Sequence, residues 1–249
     1  MIWPFSKSYS LLDSGFLDGT TDWHSHILPG VDDGVRTTEY ALEVLAYYEK
    51  TGIREVWLTP HIMEDVPNET ASLRARFASF KTCYDGPIQL HLAAENMIDT
   101  LFDKRFEAGD LLTIGEGEIP GPDGELLLVE TSYFNPPMAF EDTLKEIRTR
   151  GLHPLLAHPE RYVYMSRRDY DRLKESGVRF QLNLMSLTGM YGAQAAHSAS
   201  NLLRDGMYDY AGSDLHRLNP WEHAVSNPVL TKKEVEALLT LKEKMANRS

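Results

Sequence analysis

The chain is poor in cysteine, in positive charge and in long apolar runs. Its 249 residues hold a single cysteine, Cys83, which cannot form an internal disulfide and agrees with a reducing compartment. No apolar run approaches the roughly 18 residues of a membrane-spanning helix. The start, Met1-Ile2-Trp3-Pro4-Phe5-Ser6-Lys7, lacks a basic segment followed by an apolar one. A cytoplasmic protein without membrane insertion is the expectation. With 37 acidic against 25 basic side chains the net charge is −12, which disfavours the phosphate backbone of nucleic acid as a partner. Several nucleophile schemes are missing too. Gln89 stands where a thiol-phosphatase loop beginning at Cys83 would need arginine, and neither a G-x-S-x-G elbow nor a Walker-type glycine loop occurs. Cys83 therefore reads as an inert thiol.

What remains is a globular composition, 42% hydrophobic and 25% charged, able to bury a sizeable core. Short β-rich runs alternate with amphipathic helical stretches. Strands are expected at 20–23, 55–59, 88–94, 125–130, 153–157, 179–184 and 208–212. Helices are expected around 41–48, 73–80, 99–107 and 140–147, with a last one over 232–245. Seven strands alternating with helices imply a parallel sheet and an α/β fold. No Ser/Pro/Gly-rich linker divides the chain, so 1–249 reads as one domain with residues 1–18 as an N-terminal extension. The run 115–124 reads as a surface loop or hairpin.

Ligand-type side chains gather where the strands end. His24-Ser25-His26, with Asp32-Asp33 close behind, follows the first strand, and His61 follows the second. Glu95, Glu130 and His158 come after the third, fourth and fifth, and Asp214 and His216 after the seventh. The carboxyl ends of strands are where α/β barrels build their active sites. Imidazoles and carboxylates without thiolate suit Mn²⁺, Fe²⁺ or Zn²⁺ in a catalytic site. Five histidines and four carboxylates (Asp33, Glu95, Glu130, Asp214) exceed what one ion can hold, and with bridging they fit two or three. Three divalent ions set against four carboxylates leave about two positive charges, which matches a dianionic phosphate monoester. His91, His153, His197 and His223 lie away from this pattern.

The ordered segments His24-Ser25-His26-Ile27-Leu28-Pro29-Gly30-Val31-Asp32-Asp33-Gly34, Thr59-Pro60-His61, Ala157-His158-Pro159-Glu160-Arg161-Tyr162 and Gly212-Ser213-Asp214-Leu215-His216 resemble a known family. It is that of the bacterial tyrosine-protein phosphatases of the polymerase-and-histidinol-phosphatase (PHP) superfamily, regulators of capsule and exopolysaccharide synthesis. The resemblance covers roughly residues 20–217. It implies a distorted (β/α)₇ barrel with three divalent ions, manganese being the usual activator. Carried over, one ion takes His24, His26, Glu95 and Asp214, a second takes Glu95, Glu130 and His158, and a third takes Asp33, His61 and His216. It also implies attack on phosphotyrosine by a metal-bridging hydroxide. The usual substrate of such proteins is the tyrosine-rich tail of a membrane-associated polysaccharide kinase.

Five further residues are candidates beyond the ligand motifs. Arg161 is the expected clamp on the phosphoryl oxygens. Asn183, at the end of the sixth strand, is a candidate phosphate contact, and Tyr133 and Phe134 are candidates to flank a phenyl ring. Arg217 directly follows His216, and Pro220 is expected to restrict the loop beyond it, so that a second clamp there is missing or displaced. Two rival functions stay open: a PHP enzyme acting on a small ester such as histidinol phosphate or a nucleotide, and a catalytically idle metal-bound scaffold. Oligomeric state and the general acid are not legible.

Overall fold

The computed structural model describes residues 7–115 and 124–247. The chain enters the sheet with β1 (Thr21–Ser25), turns through α1 (Thr38–Thr51) and returns as β2 (Glu55–Leu58). Helix α1 forms because Thr37 caps it, accepting from the Tyr40 N–H, and because Ala41, Val44, Leu45 and Tyr48 make one buried stripe. Gly52, at φ 88°, ends it in a conformation that side chains with a Cβ resist.

The second expected strand, 55–59, forms as far as Leu58, and the chain then passes Pro60, which has no amide hydrogen to give a neighbour. A short strand that was not expected, β3 (His61–Ile62), follows, and after α2 (Thr70–Lys81) the third expected strand, 88–94, forms as β4 (Gln89–Leu92), with another unexpected strand, β5 (Glu95–Met97), just beyond it. Then come α3 (Thr100–Ala108), β6 (Leu126–Glu130), α4 (Phe140–Thr149), β7 (His153–Ala157) and α5 (Arg167–Glu175). The rest is β8 (Arg179–Asn183), α6 (Gly192–Arg204), β9 (Tyr210–Gly212), α7 (Leu218–Ser226) and α8 (Lys232–Ala246).

The seven expected strands are therefore nine among the described residues, in two parallel sheets ordered β1-β2-β4 and β3-β5-β6-β7-β8-β9. The sheets stay joined through the breaks: Ala93 N–H donates to Leu58 O (3.0 Å) and Glu95 N–H to Pro60 O (3.1 Å). On the far side the chain beyond β9 reaches β1 through a bridge between Ser25 and Leu215. Asp214 N–H also donates to His24 O at 2.8 Å. The result is a curled, incompletely closed parallel sheet flanked by helices, resembling a distorted PHP-type barrel. Two expectations change in detail. His61 and Glu95 open short strands of their own instead of trailing longer ones, because the break re-aims the chain just before each.

Strand β6 is buried at every position, which accounts for its unbroken apolar sequence. Leu127→Ala there would cost about 2–5 kcal/mol through the cavity it leaves. The segment before β1 is packed: Tyr9 pairs with Leu230, and Leu11, Phe16 and Leu17 are buried. Ile114 and Leu126 pair antiparallel, while residues 116–123 of the expected loop lie outside the described residues. Pro220 does not shape a loop. It sits in the first turn of α7, where a missing amide hydrogen leaves no helical bond unmade.

Candidate metal centre

A β-bulge sets the first pair of ligand-type side chains. Asp22 is opposite Val56 but Ser25 is opposite Leu58, so β1 has one residue more than β2 over that span. The extra residue lets Asp22 turn to Tyr48 Oη (2.8 Å) while His24 turns to Glu95. Two glycines permit the close packing around this strand. A Cβ on Gly212 would stand 2.5 Å from His24 Cβ, and one on Gly34 would stand 2.3 Å from His26 O. His158 (φ 35°) and Asp214 (φ 50°) are the non-glycine residues held in the left-handed region among the described residues. Both are ligand-type side chains, and each such conformation costs on the order of 1–3 kcal/mol that surrounding contacts must offset.

The nine strand-end residues converge on one pocket, with Glu95 at its centre. Glu95 Oε2 lies 3.2 Å from His24 Nε2, 3.3 Å from His26 Nε2 and 3.0 Å from His61 Nδ1. Its other oxygen accepts from or faces His158 Nε2 at 3.0 Å. Asp214 Oδ1 stands 3.2 Å from His26 Nε2 and 3.5 Å from His216 Nδ1. Asp33 Oδ1 lies 3.2 Å from His216 Nε2 and 3.6 Å from His61 Nε2. Four overlapping groups have ligand atoms close enough to share an ion. They are His26/Asp33/His61/His216, His24/Glu95/His158, His24/His26/Asp214 and His61/Glu95/Glu130. Glu130 is thus nearer His61 (3.1 Å) than His158 (3.9 Å).

Electrostatics agree with this crowding. Burial opposes charge on Glu95, yet His24 and His61 hold its carboxyl well below the usual range. Burial likewise opposes an imidazolium at His61, and the neighbouring His26 opposes it too. Glu95 and Glu130 outweigh both and push it up to about 10. Burial disfavours charged His24 and His26 as well, but the carboxylates around them raise both. The His216 hydrogen bond holds Asp33 at about 2.

The residues fit divalent cations by a direct test. Glu95 Oε2, Glu130 Oε1 and His61 Nδ1 are buried and make no hydrogen bond, although His61 Nδ1 stands 3.0 Å from the first and 3.1 Å from the second. His24 and His26 also face each other Nε2 to Nε2 at 3.1 Å. Converging lone pairs of nitrogen and oxygen, without sulfur, form the donor set of Mn²⁺, Fe²⁺ or Zn²⁺.

The neighbours of these ligands were less legible. Asp32 accepts from or faces His26 Nδ1 at 2.8 Å, leaving Nε2 aimed inward, and it also accepts the His61 N–H (3.1 Å). Gln181 does the same for His24 Nδ1 at 3.1 Å. Its signal was available, since Gln181 is two residues before Asn183 and so shares its face of β8. Asn183 donates its amide to Asp214 Oδ2 (2.7 Å) and accepts the Met185 N–H (2.9 Å). Arg161 Nη1 donates to the same Asp214 oxygen at 3.0 Å. Its guanidinium lies 4.3 Å from the centre of the Tyr133 ring and 4.0 Å from that of Tyr191, a residue no motif pointed to. Phe134 is 71% exposed. Arg217 is exposed at the start of α7 and lines a cavity of about 350 Å³ with Asp33, Tyr191, Asp214 and His216. His91 stacks on Trp57 at 4.7 Å and pairs with Glu55, outside the cluster. His153, His197 and His223 lie in β7, α6 and α7, and none joins a metal-type group.

Comparison with known proteins places this geometry. Residues 20–233 match the family described as "Capsular polysaccharide synthesis, CpsB/CapC". Tyrosine-protein phosphatase YwqE of Bacillus subtilis is 27% identical over 203 residues, 79% of this chain and 77% of that protein. CapC of Staphylococcus aureus is 25% identical over 205 residues, with the same coverage. A solved chain from the work on YwqE and on CpsB of Streptococcus pneumoniae superposes with a TM-score of 0.73 at 21% identity. It covers 92% of this chain and 95% of that one, a likeness of fold. With nine imidazoles and carboxylates gathered at the strand ends of that fold, the chain belongs to the CpsB/CapC family of capsular polysaccharide synthesis, as a metal-dependent hydrolase of the PHP type.

Proposed function

We propose that the protein hydrolyses phosphotyrosine in a protein substrate, using three divalent ions, manganese first among them, held by His24, His26, Asp33, His61, Glu95, Glu130, His158, Asp214 and His216. The observation that carries this reading is Glu95 Oε2. It is buried, without a hydrogen bond, and ringed by three imidazole nitrogens at 3.0–3.3 Å. Bound there, divalent ions supply an activated water at neutral pH and positive charge for the phosphoryl oxygens. The tyrosine-phosphatase name of the Bacillus relative favours an aryl phosphate over a small alkyl ester. The substrate proposed is the phosphorylated tail of a membrane-associated polysaccharide kinase, met in the cytoplasm.

The chain's own residues then have separable tasks. Asp32 and Gln181 fix the tautomers of His26 and His24 and aim their Nε2 atoms inward. Asn183 and Arg161 hold Asp214 Oδ2, leaving Oδ1 toward His26 and His216. Arg161 keeps further N–H groups for a phosphoryl oxygen, a charge-assisted contact that strengthens as charge builds in the transition state. The departing phenolate, with a reference pKa near 10, needs less protonation than an alkoxide would. Chelation should abolish turnover of a phosphotyrosine peptide and Mn²⁺ should restore it. Activity in a metal-free preparation would end this reading, and preference for histidinol phosphate or a nucleotide would redirect it.

A further inference from the structure

Arg161 is held in an unusual way for a residue meant to meet substrate. Its guanidinium carbon is 4.3 Å from the centre of the Tyr133 ring and 4.0 Å from that of Tyr191. A planar guanidinium has two faces, enough to take one ring each. The rings come from distant parts of the chain. Tyr133 follows β6, and Tyr191 follows β8 in a short turn between Gly189 (φ 83°) and Gly192 (φ 90°). Both glycines have open space where a Cβ would stand, so the turn uses them for backbone conformation and not for room.

Tyr133 is itself fixed from behind. It stacks 6.0 Å from Tyr162, which stacks 5.8 Å from Tyr164. Tyr133 O also accepts the Val163 N–H at 3.0 Å, tying the loop after β6 to the one that carries Arg161. Tyr162 Oη donates to Ala157 O at 3.0 Å, at the end of β7 next to His158. One edge of the guanidinium is engaged by Asp214 Oδ2 at 3.0 Å. With a ring on each face and one edge used by Asp214, the remaining N–H groups would lie in a single plane beside the metal-type cluster.

We propose that Tyr133 and Tyr191 are positioning residues that sandwich Arg161 and fix the plane in which it meets the substrate phosphoryl group. The part concerning substrate rests on the phosphatase reading above, while the sandwich does not. Arginine loses much rotamer freedom when it is held for a planar contact, and two aromatic faces bear that cost before substrate arrives. The ring of Tyr191 takes this part and not its hydroxyl, which faces Asn183.

The test uses the full chain loaded with Mn²⁺ and a phosphotyrosine peptide. Tyr191→Leu should lower kcat/KM about 10-fold or more, and Tyr191→Phe, which keeps the ring, should retain most of the activity. Tyr133→Leu should behave like Tyr191→Leu. In an Arg161→Ala background, Tyr191→Leu should cost almost nothing further, because the residue acts through Arg161. Metal content and thermal midpoint should match the unsubstituted protein. A full additional loss in the Arg161→Ala background, or equal losses for Leu and Phe, would overturn the proposal. NMR of the metal-free protein, which has no paramagnetic Mn²⁺ to broaden the signals, decides the sandwich without turnover. Ring currents should shift the Arg161 Hδ protons upfield, and the shift should shrink in Tyr191→Leu but persist in Tyr191→Phe. Unshifted protons would refute the sandwich. Absence of turnover by the unsubstituted protein, with the shifts present, would instead refute the phosphatase reading.

Discussion

The inner and outer parts of the metal centre are built from the same residue types but to different standards. His24, His26, Glu95, His158 and Asp214 have side chains no more than 3% exposed. The imidazoles of His26 and His24 are aimed by Asp32 and Gln181, and the carboxylates are surrounded on several sides. Toward the rim, the Asp33 side chain is 72% exposed, that of His216 28% and that of His61 12%. Inner ligands are placed by packing, whereas the outer Asp33 and His216 stand in loops and face each other. A preorganised inner set should bind its ions tightly and lose function when altered, whereas the outer set should bind more weakly and respond to added metal.

The sharpest test of that contrast is the central carboxylate. Glu95→Gln should lower kcat by roughly 10³-fold, beyond the ~10–100-fold that supporting residues typically command, and added Mn²⁺ should not restore it. Asn183→Ala, which removes only a hydrogen bond to Asp214, should fall in that smaller range. Equal losses with both variants folded and metal-loaded would remove Glu95 from the centre of the argument.

Next in size comes the pair of arginines. Arg161→Ala should lower kcat/KM about 10²-fold or more, the scale of losing one transition-state donor. Arg217→Ala, exposed at the rim, should cost only a few-fold and mainly through KM. A larger kcat loss for Arg217 would reverse their roles.

Asp33→Asn addresses the outer set directly. It should raise the Mn²⁺ concentration for half-maximal activity about 10-fold while leaving kcat at saturating Mn²⁺ within a few-fold. A loss that no Mn²⁺ repairs would show the outer ligands to be as indispensable as the inner ones.

Proton release reports on the same cluster. In the metal-free protein the carboxylates raise His24, His26 and His61, the last to about 10. An imidazolium has no lone pair for a metal, so binding must expel those protons. Apparent Mn²⁺ affinity should therefore rise with pH through neutrality, and calorimetry in buffers of different ionisation enthalpy should show protons released. Binding without proton release would contradict it. The smallest effect is expected at Cys83, exposed just beyond α2. Alkylating it should change turnover by less than about twofold, and inactivation would revive a thiol mechanism.

Much of this was legible in one dimension because it depends on local order. Alternating apolar runs and helical stripes revealed parallel β/α units, and β6 announced its burial by having no polar side until Glu130. Each of the nine ligand types stood at or just past a strand, so their convergence followed from the parallel sheet itself. The short strands β3 and β5, just past the expected strand ends at 59 and 94, were not read, because two or three residues carry too little alternation to show. Pro220 was misread for a different reason, since proline at a helix start and proline in a loop look alike until the helix is seen.

By itself, then, the amino-acid order determined which chemistry the chain can perform: a set of oxygen and nitrogen donors without thiolate, spaced so that each returns to the same end of a sheet. The tertiary structure alone decided the grouping. Whether Glu130 pairs with His61 or His158 depends on tenths of an ångström set by how two sheets join. Arg161 finds Tyr191 because two glycine turns bring back a segment 30 positions away in the chain. Local propensity follows the neighbours along the chain, and these contacts follow the closure of the sheet, whose geometry no short stretch of sequence contains.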